Sequence, residues 1–566
     1  MHRDGRRLRA ESPFRVYTRG QFTALTSDVV HLGQYTRGIA DTRDKPAAGT
    51  LAVPRHRHDF LSGDRCARVR SRGACGHQLH RAQGADIQES EGMTVHTGAR
   101  TGPGPAHETT ARPWLFVGIV ALCAIFVRLV YVQLFSSPMP FWDQWDGEAD
   151  HVLRPWIEGH FGMEHLLRAH NEHRILPTKL VTIVLYELTG RWSNMDEARL
   201  SACIYGLIPA MLLWSATVGS YGGRPTLVHK ALAALIFLFS VLPFSWENTL
   251  VGFQSQFYFM LAASIAAVIL AARHHSNVLA AGGIFLLSAF ACLTMASGLI
   301  TPLVAACVLA MACVFLPGRR WPAAVTSVLL LAMAIAAYAT TPQIPQHQIL
   351  RPKTAIAVLD ALNHLLGWPI TGYHWAMFYL WLPAPVALTW RAAHKTVTRT
   401  DLVMAGLYGW SLVQALAIGA GRGEGLVEVP SRYVELLIPG LFANAWFALS
   451  MLAGCFREPW RTRIPAATLS VAFFAVLIGG LLARTPADFQ QLRTRSEALA
   501  VQQSNTLRYL RSNDPAALDV PFFALPYPDH TRLKALLDNH SIRQALGWTS
   551  PLPPPSAEPE DAPAGS

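Results

Sequence analysis

Between residues 114 and 484 the chain carries one block of apolar residues after another, each about twenty long, separated by short polar turns. A helix needs a run of that length to cross the roughly 30 Å hydrocarbon layer of a bilayer, where each backbone group must be satisfied within the helix itself. The pattern points to an all-α polytopic membrane protein. Composition agrees, with 51% hydrophobic and only 15% charged residues and a mean hydropathy of +0.24. A net charge of +11 would suggest nucleic acid as the partner of a soluble chain. Here most arginines lie in the N-terminal segment and in turns between apolar blocks, where they set membrane orientation. Membrane lipid headgroups are the expected anionic partner, and no nucleic acid is expected.

Basic turns lie near 224–230, 273–275, 319–320, 391–399 and 457–463. Placing them on the cytoplasmic side threads the chain through about 11 transmembrane helices. The spans fall near 114–135, 200–219, 231–246, 250–271, 278–296, 300–316, 322–341, 371–390, 402–420, 433–453 and 464–484. This threading predicts a multi-pass protein of the cell (inner or plasma) membrane, with a cytoplasmic N-terminus and an extracytoplasmic C-terminus. The run 175–188 carries Lys179 and Glu187 and breaks the alternation if counted, so it is expected to lie in the interface as an amphipathic helix. The whole of 136–198 then becomes a large first extracytoplasmic loop.

Residues 1–112 are polar and lack a sustained period, which predicts a disordered segment. Met93 is an alternative start, so part of this segment is an overextended N-terminus on that reading. After the transmembrane region of 113–484, residues 485–548 are expected to form a small helical extracytoplasmic appendage, with a helix over 492–510. The Pro-rich tail 549–566 is expected to be disordered. The eight cysteines are scattered, most of them in apolar runs, and no spacing suggests a metal site or disulfide framework.

The threading gathers polar clusters on one face. The first is Trp142-Asp143-Gln144-Trp145-Asp146-Gly147-Glu148, directly after the first span. The second is His170-Asn171-Glu172-His173-Arg174. Others are Trp246-Glu247-Asn248, the loop 342–370, and the stretch 421–433 containing Arg422, Arg432 and Tyr433. Gln254 and Gln256 sit just inside a span, where polar side chains usually face protein or a cavity. Each cluster also has a plain structural reading. The acids can cap a helix, Glu247 can cap a turn, and Trp142 and Trp145 can belong to an interfacial aromatic belt.

A first span, a large loop opening on acids, an interfacial helix, and a second span entered through Arg191-Trp192-Ser193-Asn194-Met195-Asp196-Glu197-Ala198-Arg199-Leu200 together resemble the GT-C superfamily of integral membrane glycosyltransferases. The resemblance is carried by Asp143, Asp146 and Glu148, by 170–177 and by 191–200, and covers roughly 114–484. The Asp-Gln-Trp-Asp, His-Asn-Glu-His-Arg, Trp-Glu-Asn and Ser-Arg-Tyr motifs are also similar to those of a group of bacterial multi-span membrane proteins. Paired acids in the superfamily are adjacent or one apart, whereas here the nearest pairs are Asp143/Asp146 and Asp146/Glu148.

The resemblance implies inverting transfer of a sugar from a polyprenyl-phosphate donor to an extracytoplasmic acceptor (glycan, lipid or protein). In such chemistry a carboxylate removes the acceptor proton, and cationic donors receive the leaving phosphate. Asp143 is the expected base, with Asp146 or Glu148 orienting the acceptor or holding a divalent cation, although no metal is firmly implied. Arg174 and Arg432, with Lys179 or His173, are candidates for the phosphate. Trp142, Trp145, His170, Glu172, Glu247, Gln254, Arg422 and Tyr433 are further binding candidates. The alternative is a transporter or flippase, or a non-catalytic partner in envelope polysaccharide assembly. A polysaccharide polymerase or ligase fits less well, because its large loop usually comes late in the chain.

Overall fold

The computed structural model describes residues 113–217, 226–455 and 460–548. The expectations for 1–112, for the tail from 549 and for the centres of the basic turns near 224 and 457 lie outside the described residues. The described chain is all-helical, with no strand and a single backbone bridge between His170 and His173.

Seven helical stretches are long and apolar enough to cross a membrane: Trp114–Phe135, Asn194–Thr217, Gly252–His274, Ala296–Phe315, Trp321–Ala339, Arg399–Arg422 and Arg463–Ser512. Each overlaps one of the expected spans. The other four differ, each for a local reason. The block 231–246 becomes α5 (Leu227–Val241), which Pro243 bends by 45° into 243–250. Block 278–296 stops early as α7 (Val278–Cys292), before a 3₁₀ turn at Ala296–Leu299. Pro383 divides block 371–390 into α11 (His374–Trp381) and α12 (Pro383–Ala393). Block 433–453 begins as the short turn Ser431–Val434 and resumes as α14 (Ile438–Cys455).

The remaining main helices are α1 (Pro113–Phe135), α2 (Leu176–Thr189), α3 (Asn194–Tyr205), α4 (Leu207–Thr217), α6 (Ser255–His274), α8 (Ile300–Phe315), α9 (Trp321–Ala339), α10 (Ala355–Gly367), α13 (Arg399–Arg422), α15 (Trp460–Ser512), α16 (His530–Leu537) and α17 (His540–Ala545). Helix α6 is central and packs on α4, α7, α8 and α13. Helix α1 is peripheral: Leu115, Ile119, Leu122, Phe126, Val130 and Leu134 form an exposed apolar stripe at helical spacing. In a bilayer that stripe faces lipid.

Helix α2 shows a similar division. Leu180, Val184 and Leu188 are exposed on one side, while Lys179, Thr182 and Ile183 are buried on the other.

Helix α15 continues across the expected boundary at 484. It runs unbroken for 53 residues through Pro465 and Pro486, a length of roughly 80 Å. That is well over twice a bilayer core, so a large part of it is longer than a membrane crossing needs. Its far end forms a second hydrophobic core with the loop after α1. There Met139, Trp145, Leu153 and Trp192 pack with Tyr509, Leu533, Leu537 and Ile542. Residues 485–548 are therefore built into the large loop.

Candidate functional site

The polar clusters meet at one end of the bundle. Asp143 lies in a recess, 54% exposed, with its Oδ1 3.4 Å from Nε2 of the buried His170. Burial works to raise the Asp143 carboxyl, but His170 and the Arg432 charge outweigh it and hold the group below its ordinary value. It is ionised at neutral pH. His170 is held by paired backbone hydrogen bonds with His173, at 2.7 and 3.0 Å, and by edge contact with Phe253.

Two backbone positions in these loops are strained. Trp142 has φ +49 and Ile175 φ +47, conformations that cost non-glycine residues of order 1–3 kcal/mol. Each is pinned from another element: Trp142 N donates to Pro526 O at 2.7 Å, and Ile175 N to Thr294 O at 2.9 Å. Trp142 is 45% exposed beside Asp143. Trp145 is fully buried, donates Nε1 to Pro140 O at 3.0 Å, and meets Trp192 edge-on. Its proximity to the first span suggested a belt residue or sugar platform; the helical turn of 145–153 instead directs it into the second core.

The three candidate acids have separate surroundings. Asp146 accepts from Tyr527 Oη at 2.6 Å and from Arg532 at 3.0 and 3.3 Å, and Arg532 also donates to Asp150 at 2.7 Å. Burial and this carboxylate raise the Tyr527 hydroxyl well above its usual value, so it remains a donor. Glu148 is completely enclosed. Its Oε2 accepts from Trp192 Nε1 and Gln144 Nε2, both at 3.0 Å, and the same Gln144 nitrogen reaches Glu197 at 2.8 Å. Burial pushes Glu148 up to about 7.

The close seat of this pair depends on Gly252. A β-carbon there would collide with the Glu197 side chain, and Gly252 N donates to Asn194 Oδ1 at 2.8 Å.

Opposite Asp143, Arg432 Nη1 donates to Glu247 Oε1 at 2.8 Å, while Ser431 Oγ and Arg432 N donate to Oε2. Glu247 thus ties two loops together, a larger role than capping its own turn. The Arg432 guanidinium also lies 4.9 Å from the Tyr433 ring centre. Below this pair, the buried Arg128 pairs with Glu435 and donates to Thr249, Tyr258 and Ser245, with the Tyr205 ring 3.5 Å away.

A second cluster surrounds Glu172. Arg422 donates to both its oxygens at 3.2 Å, and His347 makes a close hydrogen bond to it. Burial opposes ionisation of Glu172, but these partners hold its carboxyl below the ordinary value. Arg174 donates to Thr340 O at 3.2 Å and lines a cavity of about 290 Å³ with Glu172, Cys292, Ala296, Met333 and Thr340.

Two expected phosphate donors are committed elsewhere. Lys179 is buried and donates to the carbonyls of His165, Leu166 and Arg168 at 2.7, 3.2 and 2.5 Å, holding that loop closed. His173 accepts from Ala296 N at 3.1 Å, and burial lowers it to about 4, so it is a neutral imidazole. Gln254 ends the 3₁₀ turn Gly252–Gln254 that leads into α6, half-buried.

Residues missed by sequence reasoning are His347, Tyr527, Arg532 and Arg495. Arg495 is on the long helix and stacks 3.7 Å above the Phe141 ring. Among the described residues, no three His, Cys, Asp or Glu side chains gather in a metal-binding arrangement. No protein-family model matches the chain, and no curated protein matches it.

Proposed function

We propose that the chain is a membrane-embedded glycosyltransferase in which Asp143 is the general base. The observation that carries this reading is the Asp143 recess: an ionised, accessible carboxylate beside a buried histidine, faced by Arg432 and bordered by the exposed Trp142. The donor is a polyprenyl-phosphate sugar and the acceptor an extracytoplasmic hydroxyl of a glycan, lipid or protein. Asp143 takes the acceptor proton while the acceptor oxygen attacks the anomeric carbon. The bond from that carbon to the phosphate oxygen breaks, its electron pair leaves with the phosphate, and the configuration inverts. Cationic side chains opposite the base stabilise the departing charge. Trp142 offers a flat face to a sugar ring.

On this reading Asp146 and Glu148 are structural. Asp146 anchors the C-terminal segment through Tyr527 and Arg532, and Glu148 supports the second core. The protein lies in the cell membrane with the recess on the extracytoplasmic side. The turns at the other end of the bundle, with Arg273, Arg391 and Arg399, face the cytoplasm. The bent and shortened helices complete a path of about eleven crossings with the N-terminus inside, and the exposed apolar stripe of α2 rests in the interface.

A flippase of lipid-linked sugars is the second reading, favoured by the Arg128–Glu435 pair inside the bundle. Its close hydrogen bonding to Thr249, Tyr258 and Ser245 fits a fixed brace better than a moving site. The two readings separate in isolated membranes supplied with polyprenyl-phosphate sugars on the recess side. Label appearing in a new glycoside supports the transferase. Label that only changes leaflet, still on its polyprenyl phosphate, sinks it.

A further inference from the structure

The cavity beside Arg174 lies where α7 and α9 end. Ala289 of α7, Ala296 of the following turn, and Ala336 and Ala337 of α9 line it, and these small side chains leave the gap. Its volume of about 290 Å³ is close to the ~300 Å³ lower end of small-ligand pockets. None of its lining residues is buried, so the space communicates with the surroundings of the protein.

Polarity changes along its length. Arg174 reaches the Thr340 carbonyl at the C-terminus of α9, and Glu172 lines the same cavity. From Thr340 back to Met333 the wall runs roughly 10 Å along the helix axis, through the two alanines. Helix α9 is long and apolar enough to cross a membrane, and Ile335 and Tyr338 beside the cavity are exposed, as are Leu286 and Phe290 on α7. In a bilayer the Met333 end therefore lies among acyl chains, and the Arg174 end lies where the helix leaves the hydrocarbon.

Arg174 is the charge in this slot that a ligand can use. Among the described residues its one hydrogen bond runs from Nη2 to Thr340 O at 3.2 Å, and it has no carboxylate partner. Glu172 is occupied by Arg422 on both oxygens and by His347. The end of α9 carries about half a negative charge, which offsets only part of the guanidinium. Beyond His173, the ionised Asp143 and Glu247 balance Arg432 and Arg495. The hydroxyls of Thr340 and Thr341 donate to the carbonyls of Ala336 and Ala337, which leaves Arg174 as the donor for an anion.

We infer that this slot holds one anionic glycerophospholipid of the phosphatidylglycerol type, with its phosphodiester on Arg174 and an acyl chain against Met333 and Ala336. A phosphodiester carries one negative charge, which one guanidinium balances. A phosphate monoester carries close to two and would bring the second beside Glu172. A choline or ethanolamine head needs a free carboxylate, and Glu172 is already taken. The bound lipid joins the 170–176 loop to α7 and α9 and so braces one side of the Asp143 recess. The inference does not depend on the transferase reading.

The test uses the full chain purified in a neutral detergent, with ligand-induced thermal stabilisation as the readout. The probes are dioleoyl phosphatidylglycerol, dioleoyl phosphatidylcholine, glycerophosphoglycerol and farnesyl phosphate. Each is applied to wild type, Arg174→Gln, Arg174→Lys and Ala337→Leu. The last variant fills the slot and keeps the charge. Phosphatidylglycerol is expected to stabilise wild type at about tenfold lower concentration than phosphatidylcholine. Its binding is expected to weaken about tenfold in Arg174→Gln, the effect of losing a charge-assisted hydrogen bond, with partial recovery in Arg174→Lys. Ala337→Leu is expected to weaken it as well.

Equal responses of wild type to phosphatidylglycerol and phosphatidylcholine overturn the inference. So does phosphatidylglycerol binding that is unchanged in Arg174→Gln or in Ala337→Leu. Glycerophosphoglycerol acting as strongly as the whole lipid removes the acyl slot and with it the lipid. Farnesyl phosphate binding more tightly than phosphatidylglycerol, and depending on Arg174, overturns the assignment to a membrane phospholipid and gives the slot to a prenyl phosphate.

Discussion

Replacing Glu148 with glutamine is expected to stabilise the protein at neutral and alkaline pH. The carboxyl is fully enclosed, with Gln144 and Trp192 donating to one oxygen and Glu197 close by. Burial raises it from 4.5 to about 7. Because the folded state binds this proton more tightly than the unfolded chain, the protonated group's contribution is complete below pH 4.5. It declines as pH rises through the window up to about 7. At ~1.4 kcal/mol per unit, the loss amounts to about 3 kcal/mol above that window. Glutamine keeps an acceptor for Trp192 and Gln144 and cannot ionise, so it escapes the penalty.

The assay is thermal unfolding of both proteins in one detergent at pH 5, 6, 7 and 8, with Glu148→Gln compared with wild type at each pH. The comparison cancels titrating groups that do not interact with residue 148, among them His151 and His173. The expected advantage of the variant is small at pH 5 and grows to about 3 kcal/mol at pH 8. A difference that is flat with pH, or a variant less stable than wild type at pH 8, would refute the reasoning.

Arg532→Ala removes the donor that Asp146 and Asp150 share, at a cost of about 1–3 kcal/mol, and releases the C-terminal segment. Limited proteolysis is expected to cut within 525–548 in the variant and not in wild type. Lys179→Met leaves three carbonyls without their donor, at a similar cost. Hydrogen exchange at 163–169 is expected to rise there while α6 stays protected. Gly252→Ala forces α3 away from the 252 turn and is expected to lower the melting point more than Gly282→Ala, which has open space around it.

The long spans were legible in the sequence because hydropathy and length alone determine them, as in α1, α8, α9 and α13. Two of the four that differ do so at a single residue. Pro243 and Pro383 bend or split apolar runs whose hydropathy alone reads as continuous. Conversely, Pro486 does not end α15, since tertiary contacts with the loop carry the helix past it. In the site, local motifs were legible and their partners were not. Asp143, His170, Glu172 and Arg432 stood out in dense polar clusters. Arg495, His347 and Arg532 are single charges in ordinary polar stretches, and only the fold brings Arg495 onto Phe141 or Arg532 onto Asp146. Trp145 was misread because its place in the chain, beside a span, says nothing about which way its helical turn faces.

The central claim is that Asp143 does the chemistry and Asp146 does not. The most direct measurement is single-turnover sugar transfer from a polyprenyl-phosphate donor by purified wild type, Asp143→Asn and Asp146→Asn, with equal insertion and donor binding verified. The account predicts that Asp143→Asn slows transfer by about 10²–10⁴-fold, the usual contribution of a general base. It predicts that Asp146→Asn stays within a few-fold of wild type. Transfer preserved in Asp143→Asn, or abolished only in Asp146→Asn, would contradict it.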